Sequence, residues 1–452
     1  MNPDEVAFYE ERDRRSRQYV INDGNVPVGP AGIVIAPDAA ECPAAQLATL
    51  ALVNMLARVH RTLVVSVPAA PLVVPQLLGT STTLEAAVHQ TARAINPFIR
   101  LSPRPVGDTT PVVGLGASAP AGLDGYLLID GWQGGITNAP TAAGGDPASM
   151  LGAGAAACIS AAFLFHLARG RRPAPHVVSL WELGDGREGR APSVAWPLNV
   201  GDVLVIGAGA VGSALAFWLR AVGVESDWCF IDPDIARLHN TNRSLGMTAA
   251  DAGWPTDTVG RHKSRVASHL LRENGSYEVA TYREWLSGHP NARPDLVIPV
   301  ANDDGVRSAV MGRGEPILIH GSTSPNWTAE LHRHIPDIDD CIPCRLPDSG
   351  EPRLTCSSGP VDPGNASSSD AALPFLSGAA GLLLLTGLAQ LQLGALPTLQ
   401  RNHWRLHLDL GSRAITSTFW SCASGCNRVL PRDIRLRVQR GGRWVSIDPA
   451  SA

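Results

Sequence analysis

Apolar positions along this chain fall into short β-branched runs separated by longer stretches of helical period. Val203, Leu204, Val205 and Ile206 form one such run, followed by Gly207-Ala-Gly209-Ala-Val-Gly212 and an apolar-periodic stretch that ends near Gly223. That order predicts a strand, a tight turn and a helix. A second strand is predicted at 228–231, ending at Asp232, with further strands at 277–282, 296–300 and 317–320. The first half repeats the plan in worn form, with strands at 33–35, 62–67, 112–115 and 126–129 and a helix at 44–59. After Ile35 it reads Ala-Pro-Asp-Ala-Ala-Glu-Cys where the second half has its glycines, so this half is expected not to hold a nucleotide. Two longer helices, at 150–168 and 375–393, approach the length of a membrane span. His166 interrupts the first and Gln390 and Gln392 the second, so both are expected to pack against each other between the halves. Around Gly441-Gly442, residues 434–447 alternate apolar and polar and predict a hairpin, a docking edge for a partner.

Strands alternating with helices predict an α/β protein of two Rossmann-like, doubly wound halves. The halves would form an internal pseudo-dimer, one active and one degenerate. A polar stretch rich in Pro and Gly at 170–200 separates them, giving expected units of 1–190 and 191–452. The length of 452 residues and the 44% hydrophobic content fit two packed units. A formal net charge of −4 argues against a nucleic-acid or membrane-surface partner. Eight cysteines are too sparse for a secreted disulfide scaffold, and the charged N-terminus has no apolar core of a signal peptide, so a cytoplasmic location is expected. Among 37 basic residues there is one lysine, Lys263. A chain that otherwise uses Arg keeps a Lys where a compact ammonium is needed, which marks Lys263 for chemistry.

The spacing Gly207-x-Gly209-x-x-Gly212 brings backbone and a helix N-terminus to a phosphate group. Asp232, twenty residues beyond Gly212, can bond ribose hydroxyls. These features alone fit NAD, FAD or ATP. The residues that follow favour ATP: Asp234, His239, Asn240, Arg243, the lone Lys263 and, after a later strand, Asp303, Asp304 and Arg307. Attack of a carboxylate on the α-phosphate of ATP builds negative charge on phosphorus and on departing pyrophosphate, which cations stabilise.

Across about 201–426 this ordered set resembles the ubiquitin-activating-enzyme superfamily, which includes the sulfur-carrier adenylyltransferases of the ThiF and MoeB type. The resemblance implies that Asp232 holds the ATP ribose, that Asn240, Arg243 and Lys263 contact the phosphates, and that Asp303 binds Mg²⁺. The acid stands closer to the downstream Arg307 than is usual in the family, which favours Asp303 and leaves Asp304 open. Arg14-Arg15-Ser16-Arg17-Gln18 resembles an early Arg-Gln element whose arginine reaches the partner half's active site; Arg17 aligns best and Arg14 second.

Cys341-x-x-Cys344 and Cys422-x-x-x-Cys426 have the spacing of a structural zinc site with four thiolates. Cys356 lies apart, in a segment (345–372) rich in Ser, Gly, Pro and Asp. The superfamily carries its crossover loop here, often with the cysteine that accepts an activated acyl group. The implied activity is ATP-dependent adenylation of the C-terminal carboxylate of a small β-grasp, ubiquitin-like protein ending in Gly, followed by a thioester on Cys356. A bacterial, antiphage conjugation pathway with a conjugating enzyme is the implied setting, and the chain would act as a monomeric pseudo-dimer or a homodimer. A sulfur-carrier or peptide adenylyltransferase lacking the thioester step, and a non-catalytic scaffold that binds a ubiquitin-like partner, stay open on the sequence.

Overall fold

The computed structural model describes residues 2–444 apart from 23–25, 77, 105–106, 108, 185–190, 256–257, 302–303, 325, 347–372 and 440–441. The first sheet has strands β1 (Ala31–Ile35), β2 (Thr62–Ser66), β3 (Arg100–Ser102), β4 (Val112–Leu115), β5 (Gly125–Asp130), β6 (Gln133–Thr137) and β7 (Val177–Ser179). The second has β8 (Val203–Ile206), β9 (Trp228–Ile231), β10 (Gly275–Glu278), β11 (Leu296–Pro299), β12 (Leu318–Ser324), β13 (Thr328–His334), β14 (His403–His407) and β15 (Ile415–Thr418). Leaving out one turn at Arg17–Val20, the helices that matter here are α1 (Pro3–Asp13), α2 (Pro43–Val59), α3 (Leu84–Ile95), α4 (Ser149–Ala168), α5 (Ala210–Val222), α6 (Leu238–Thr241), α7 (Lys263–Leu270), α8 (Tyr282–Gly288), α9 (Asp304–Met311), α10 (Ile342–Arg345), α11 (Pro374–Gln392) and α12 (Arg432–Val438).

The two sheets share one topology. The first is ordered β3-β2-β1-β4-β5-β6-β7 and the second β10-β9-β8-β11-β12-β13-β14-β15, so among the described strands of these two sheets each has a counterpart seven strands later and β15 is extra; Ile21–Asn22 and Val26–Pro27 form a separate antiparallel pair. In both, the first five strands in that order are parallel and the rest antiparallel. In both, a long helix sits between the antiparallel hairpin and the return strand: α4 in the first, α11 in the second. The chain is an α/β protein of two Rossmann-like halves related by this internal repeat.

The halves meet through buried helices whose residues are mostly apolar on every face. Every residue of α2 from Ala44 to Val59 is buried. Helices α4 and α11 are long and apolar enough to cross a bilayer, but 89% and 100% of their apolar windows are buried inside the protein. Close approach rests on small residues: a Cβ on Gly154 of α4 would stand 2.6 Å from the Leu382 side chain of α11. The polar interruptions become ties between segments. His166 of α4 reaches the Leu408 carbonyl at 3.0 Å, and Gln390 of α11 donates to the carbonyls of Leu180 and Trp181.

The degenerate half supplies its own anion. Where the second half turns on glycine, Pro37-Asp38-Ala39 forms a 3-10 turn after β1. The Asp38 carboxylate accepts the backbone N–H groups of Ala117 and Ser118 at 2.7 and 3.1 Å and the Ser118 hydroxyl, and these bonds hold its pKa down.

Two sequence expectations are corrected. The strand expected at 277–282 ends at Glu278, because Thr281 and Glu284 form a capping box that starts α8. The hairpin expected from residue 434 is helix α12 over its first part. Pro431 sets the helix start, Asp433 pairs with Arg437 one turn on at 3.2 Å, and the buried Arg435 pairs with Asp337.

Candidate active site

The second half presents a phosphate-type turn at the carboxyl end of β8, whose four residues are all buried. Gly207 has φ +101°, and a Cβ there would stand 2.8 Å from the Ala301 backbone. Only glycine makes this turn without strain. Gly209 caps α5 with no side-chain cap, no heavy atom lies within 4 Å of where its Cβ would be, and Gly212 is the third residue of the helix. The first N–H groups of α5 are thus available to an anion. Asp232, 8% exposed at the end of β9, accepts the Ala208 N–H at 2.7 Å and the Asp234 N–H at 2.9 Å. Burial raises its pKa, and Lys263 acts in the opposite direction.

Lys263 opens α7 with its side chain buried and its Nζ 2.6 Å from Asp234 Oδ2; its backbone N–H also bonds the Asp234 carbonyl. Asp234 is half exposed. The sole lysine therefore lies at the edge of the phosphate turn, and its registry is fixed by main chain as well as charge.

Asn240 and Arg243 are 4% and 6% exposed and belong to α6 and the turn after it. The Asn240 carboxamide accepts the Arg237 N–H at 2.9 Å, closing the start of α6. Helix α1 packs on α6 through a cluster that includes Phe8, Tyr9, Phe98, Leu238 and Trp254, with Phe8–Trp254 ring centroids 5.3 Å apart. This brings the N-terminal arginines to the second half. Arg14 Nη2 lies 3.3 Å from His239 Nδ1, and Asn242 donates to the Ser16 hydroxyl at 2.8 Å. Burial comes first, followed by Arg15, Arg243, Arg14 and Arg237, in driving the His239 pKa down to about 3. His239 is thus a neutral ring set among these arginines, with Glu11 Oε1 3.1 Å from its Nδ1. Arg17 starts the turn at Arg17–Val20 and is exposed.

Asp303 and Cys356 lie outside the described residues, and Asp304 is described only as the first residue of α9. The anchors of the intervening segment are described: Arg345 pairs with Asp340 before it, and Pro374 starts α11 after it.

The Sγ atoms of Cys341, Cys344, Cys422 and Cys426 all lie within 4.8 Å of one another. Cys426 Sγ stands 3.7 Å from Cys341 and 3.6 Å from Cys344. Zn–S bonds of about 2.3 Å make a tetrahedron with edges of about 3.8 Å, so the donor set fits zinc.

Glu330, His332 and His403 form a second close group. Here the ring nitrogens decide against a metal. Arg345 Nη1 lies 3.2 Å from His332 Nδ1, and Trp420 Nε1 donates to His403 Nδ1 at 3.2 Å. Guanidinium and indole only donate, so both Nδ1 atoms are acceptors and both Nε2 atoms carry hydrogen. Those hydrogens face Glu330 Oε2 at 3.2 and 3.4 Å. A metal on Nε2 needs Nδ1–H facing an acceptor, the reverse of this arrangement. The group is a carboxylate held by hydrogen bonds.

Comparison with known proteins divides the chain at the same place as the sheets. Residues 197–304 match the ThiF family, the part that holds the glycine turn, Asp232, Asn240, Arg243 and Lys263. The second half carries a ThiF-family domain. Residues 31–179 match the BilD N-terminal domain, which spans the strands of the first sheet. The chain is also 25% identical over 335 residues to the uncharacterized protein y4jF of Sinorhizobium fredii, covering 69% of this chain and 59% of that protein. It therefore spans less than two thirds of that relative's length. Among solved structures, E. coli MccB with succinimide aligns at 16% identity and a TM-score of 0.39, over 51% of this chain and 67% of that one. The microcin C7 biosynthetic enzyme MccB with N-formylated MccA aligns at 14% and 0.38, over 60% and 74%.

Proposed function

We propose that this chain activates the C-terminal carboxylate of a small β-grasp, ubiquitin-like protein with ATP. The observation that carries the reading is the meeting of the two halves at one turn: Asn240 and Arg243 are buried there, Asn242 donates to the Ser16 hydroxyl at 2.8 Å, and Arg14 Nη2 stands 3.3 Å from His239 Nδ1. A reaction that expels pyrophosphate develops negative charge that cations contributed by both halves would stabilise. The turn at Gly207–Gly209 would seat phosphate, Asp232 the ribose, and Asn240, Arg243 and Lys263 the charge on the reacting phosphates. Mg²⁺ would add charge neutralisation at Asp303. Arg17 would close over the nucleotide from the N-terminal segment.

In the first step a carboxylate oxygen of the partner attacks the α-phosphorus, the bond from that phosphorus to the oxygen bridging to the β-phosphate breaks, and pyrophosphate leaves. In the second, the Cys356 thiolate attacks the acyl carbon of the adenylate, and AMP leaves with the electrons of the acyl–oxygen bond. The match of the first half to the BilD N-terminal domain supports a bacterial antiphage conjugation setting, with a conjugating enzyme as the next acceptor. Zinc at the four cysteines would tie the segment around Cys422–Cys426 to α10. Cytoplasmic location is part of the same proposal.

The test is intact mass after mixing the chain, ATP·Mg²⁺ and a β-grasp, ubiquitin-like protein ending in Gly from the same genome. A thiol-labile adduct that is lost in Cys356→Ala supports both steps. Pyrophosphate release without an adduct would leave an adenylyltransferase of the sulfur-carrier or peptide type.

A further inference from the structure

The degenerate half contributes more than the N-terminal arginines. Arg58, in the last turn of α2, is fully buried, and its guanidinium crosses to the ThiF-type half. It donates to the carbonyl of Thr241, to that of Leu245 at 2.7 Å and to that of Met247 at 3.0 Å, while its Nε donates to Asn54 at 2.8 Å. Asn54, one helical turn earlier, donates to the same Leu245 carbonyl at 3.1 Å. From α11, the Ser377 hydroxyl donates to the Arg243 carbonyl at 2.5 Å. Alternate carbonyls at 241, 243, 245 and 247 are therefore all caught by side chains from outside the segment. The Gly246 N–H is held by the Ser213 hydroxyl at 3.0 Å, and Ser213 directly follows Gly212 of the phosphate turn.

In a chain with a single lysine, the choice of Arg at position 58 carries no information; its geometry does. Among the described residues no carboxylate pairs with Arg58, and its buried charge is met by three main-chain oxygens and the Asn54 carboxamide. A buried cation is expensive unless its donors are satisfied, so the guanidinium and the 241–247 turn fix each other's position. That turn carries Arg243 and follows Asn240.

We infer that Arg58 is a positioning residue: from the half with no nucleotide turn, it sets Asn240 and Arg243 in register with the phosphate turn of the other half. This rests on the adenylation reading for its consequence, not for its geometry.

The test uses the full chain with Arg58→Lys and Arg58→Met, and Asn54→Ala as a milder variant that retains the guanidinium. ATP affinity is measured by equilibrium binding, ATP KM and kcat by pyrophosphate exchange, the active fraction by adenylate burst, and local order by hydrogen exchange of 238–247. The expected result is a rise of tenfold or more in the ATP KM and Kd for both Arg58 variants, about threefold for Asn54→Ala, with kcat per active site within threefold and faster exchange concentrated in 238–247. A merely structural arginine would instead lower the active fraction at unchanged KM; that outcome overturns the inference. If the wild-type chain gives no pyrophosphate exchange, the adenylation reading fails by itself. Hydrogen exchange and ATP binding then still decide whether Arg58 orders the segment, and no change in either would refute it. Should both Arg58 variants fail to fold, an unchanged ATP KM in Asn54→Ala is the refuting result.

Discussion

At the residue scale, Lys263 is the sharpest position. Its side chain is 4% exposed, its Nζ is held by Asp234, and its main chain is bonded to the same residue. A longer, planar guanidinium does not fit a site built around one compact ammonium. Lys263→Ala is expected to cut kcat/KM for pyrophosphate exchange by about 100-fold or more, as loss of one electrostatic donor to a transition state does. Lys263→Arg is expected to restore little of it, which steady-state kinetics on both variants would check. The glycine turn, Asp232 and Lys263 were legible because they lie within one strand–turn–helix unit and its neighbours. His239 and Arg58 were not. Their importance comes from a packing partner more than 180 residues away in each case, Glu11 and Arg14 for His239 and the 241–247 carbonyls for Arg58.

At the element scale, the four-cysteine group joins α10 to the segment that follows β15, two parts of the chain about eighty residues apart. The four sulfurs, all within 4.8 Å of one another, are spaced as the corners of a tetrahedron around one zinc ion. Purified protein is expected to hold one zinc per chain, lost in Cys422→Ser and kept in His332→Ala, by elemental analysis of both variants. A second metal that disappears in His332→Ala would show the Glu330 group to be a site after all. Helix α12 shows why the sequence misled here. The alternation Ile434-Arg-Leu-Arg-Val438 reads as a strand, but Pro431, the Asp433–Arg437 pair and the buried Arg435–Asp337 contact favour helix. A starting proline, one helical-turn ion pair and one long-range pair outweigh a two-residue alternation only five residues long. The two long apolar helices were read correctly in kind because their interruptions, His166 and Gln390, had to find partners in a packed interface.

At the scale of the whole molecule, the internal repeat is the organising fact, and it was visible in the order of strands before any contact was known. What the sequence could not show is how far the degenerate half has been turned to support of the other: Asp38 occupies its own turn, and α1 and α2 reach across to α6 and the segment after it. The shared interior also sets the response to acid. Burial is the first cause holding His60, His239 and His332 at about 4, 3 and 3. An unfolded histidine takes up a proton near pH 6.5, whereas these stay neutral in the folded chain well below it. Above pH 6.5 neither state binds the proton and stability is unaffected. Between pH 6.5 and about 4 the unfolded state binds more protons, so each such histidine removes about 1.4 kcal/mol per pH unit. Urea melts from pH 7.5 to 4.5 are expected to show a midpoint flat above pH 6.5 and falling steeply beneath it; a midpoint unchanged down to pH 5 would contradict the neutral burial of these rings.

The central claim is that the ThiF-type half adenylates a carboxylate with ATP, assisted by residues of the other half. The most direct measurement is exchange of labelled pyrophosphate into ATP by the full chain with the ubiquitin-like partner present and absent. Exchange is expected to need the partner's terminal carboxylate, to survive Cys356→Ala and to collapse in Lys263→Ala. Partner-saturated enzyme that shows no exchange, or exchange untouched by Lys263→Ala, would contradict it.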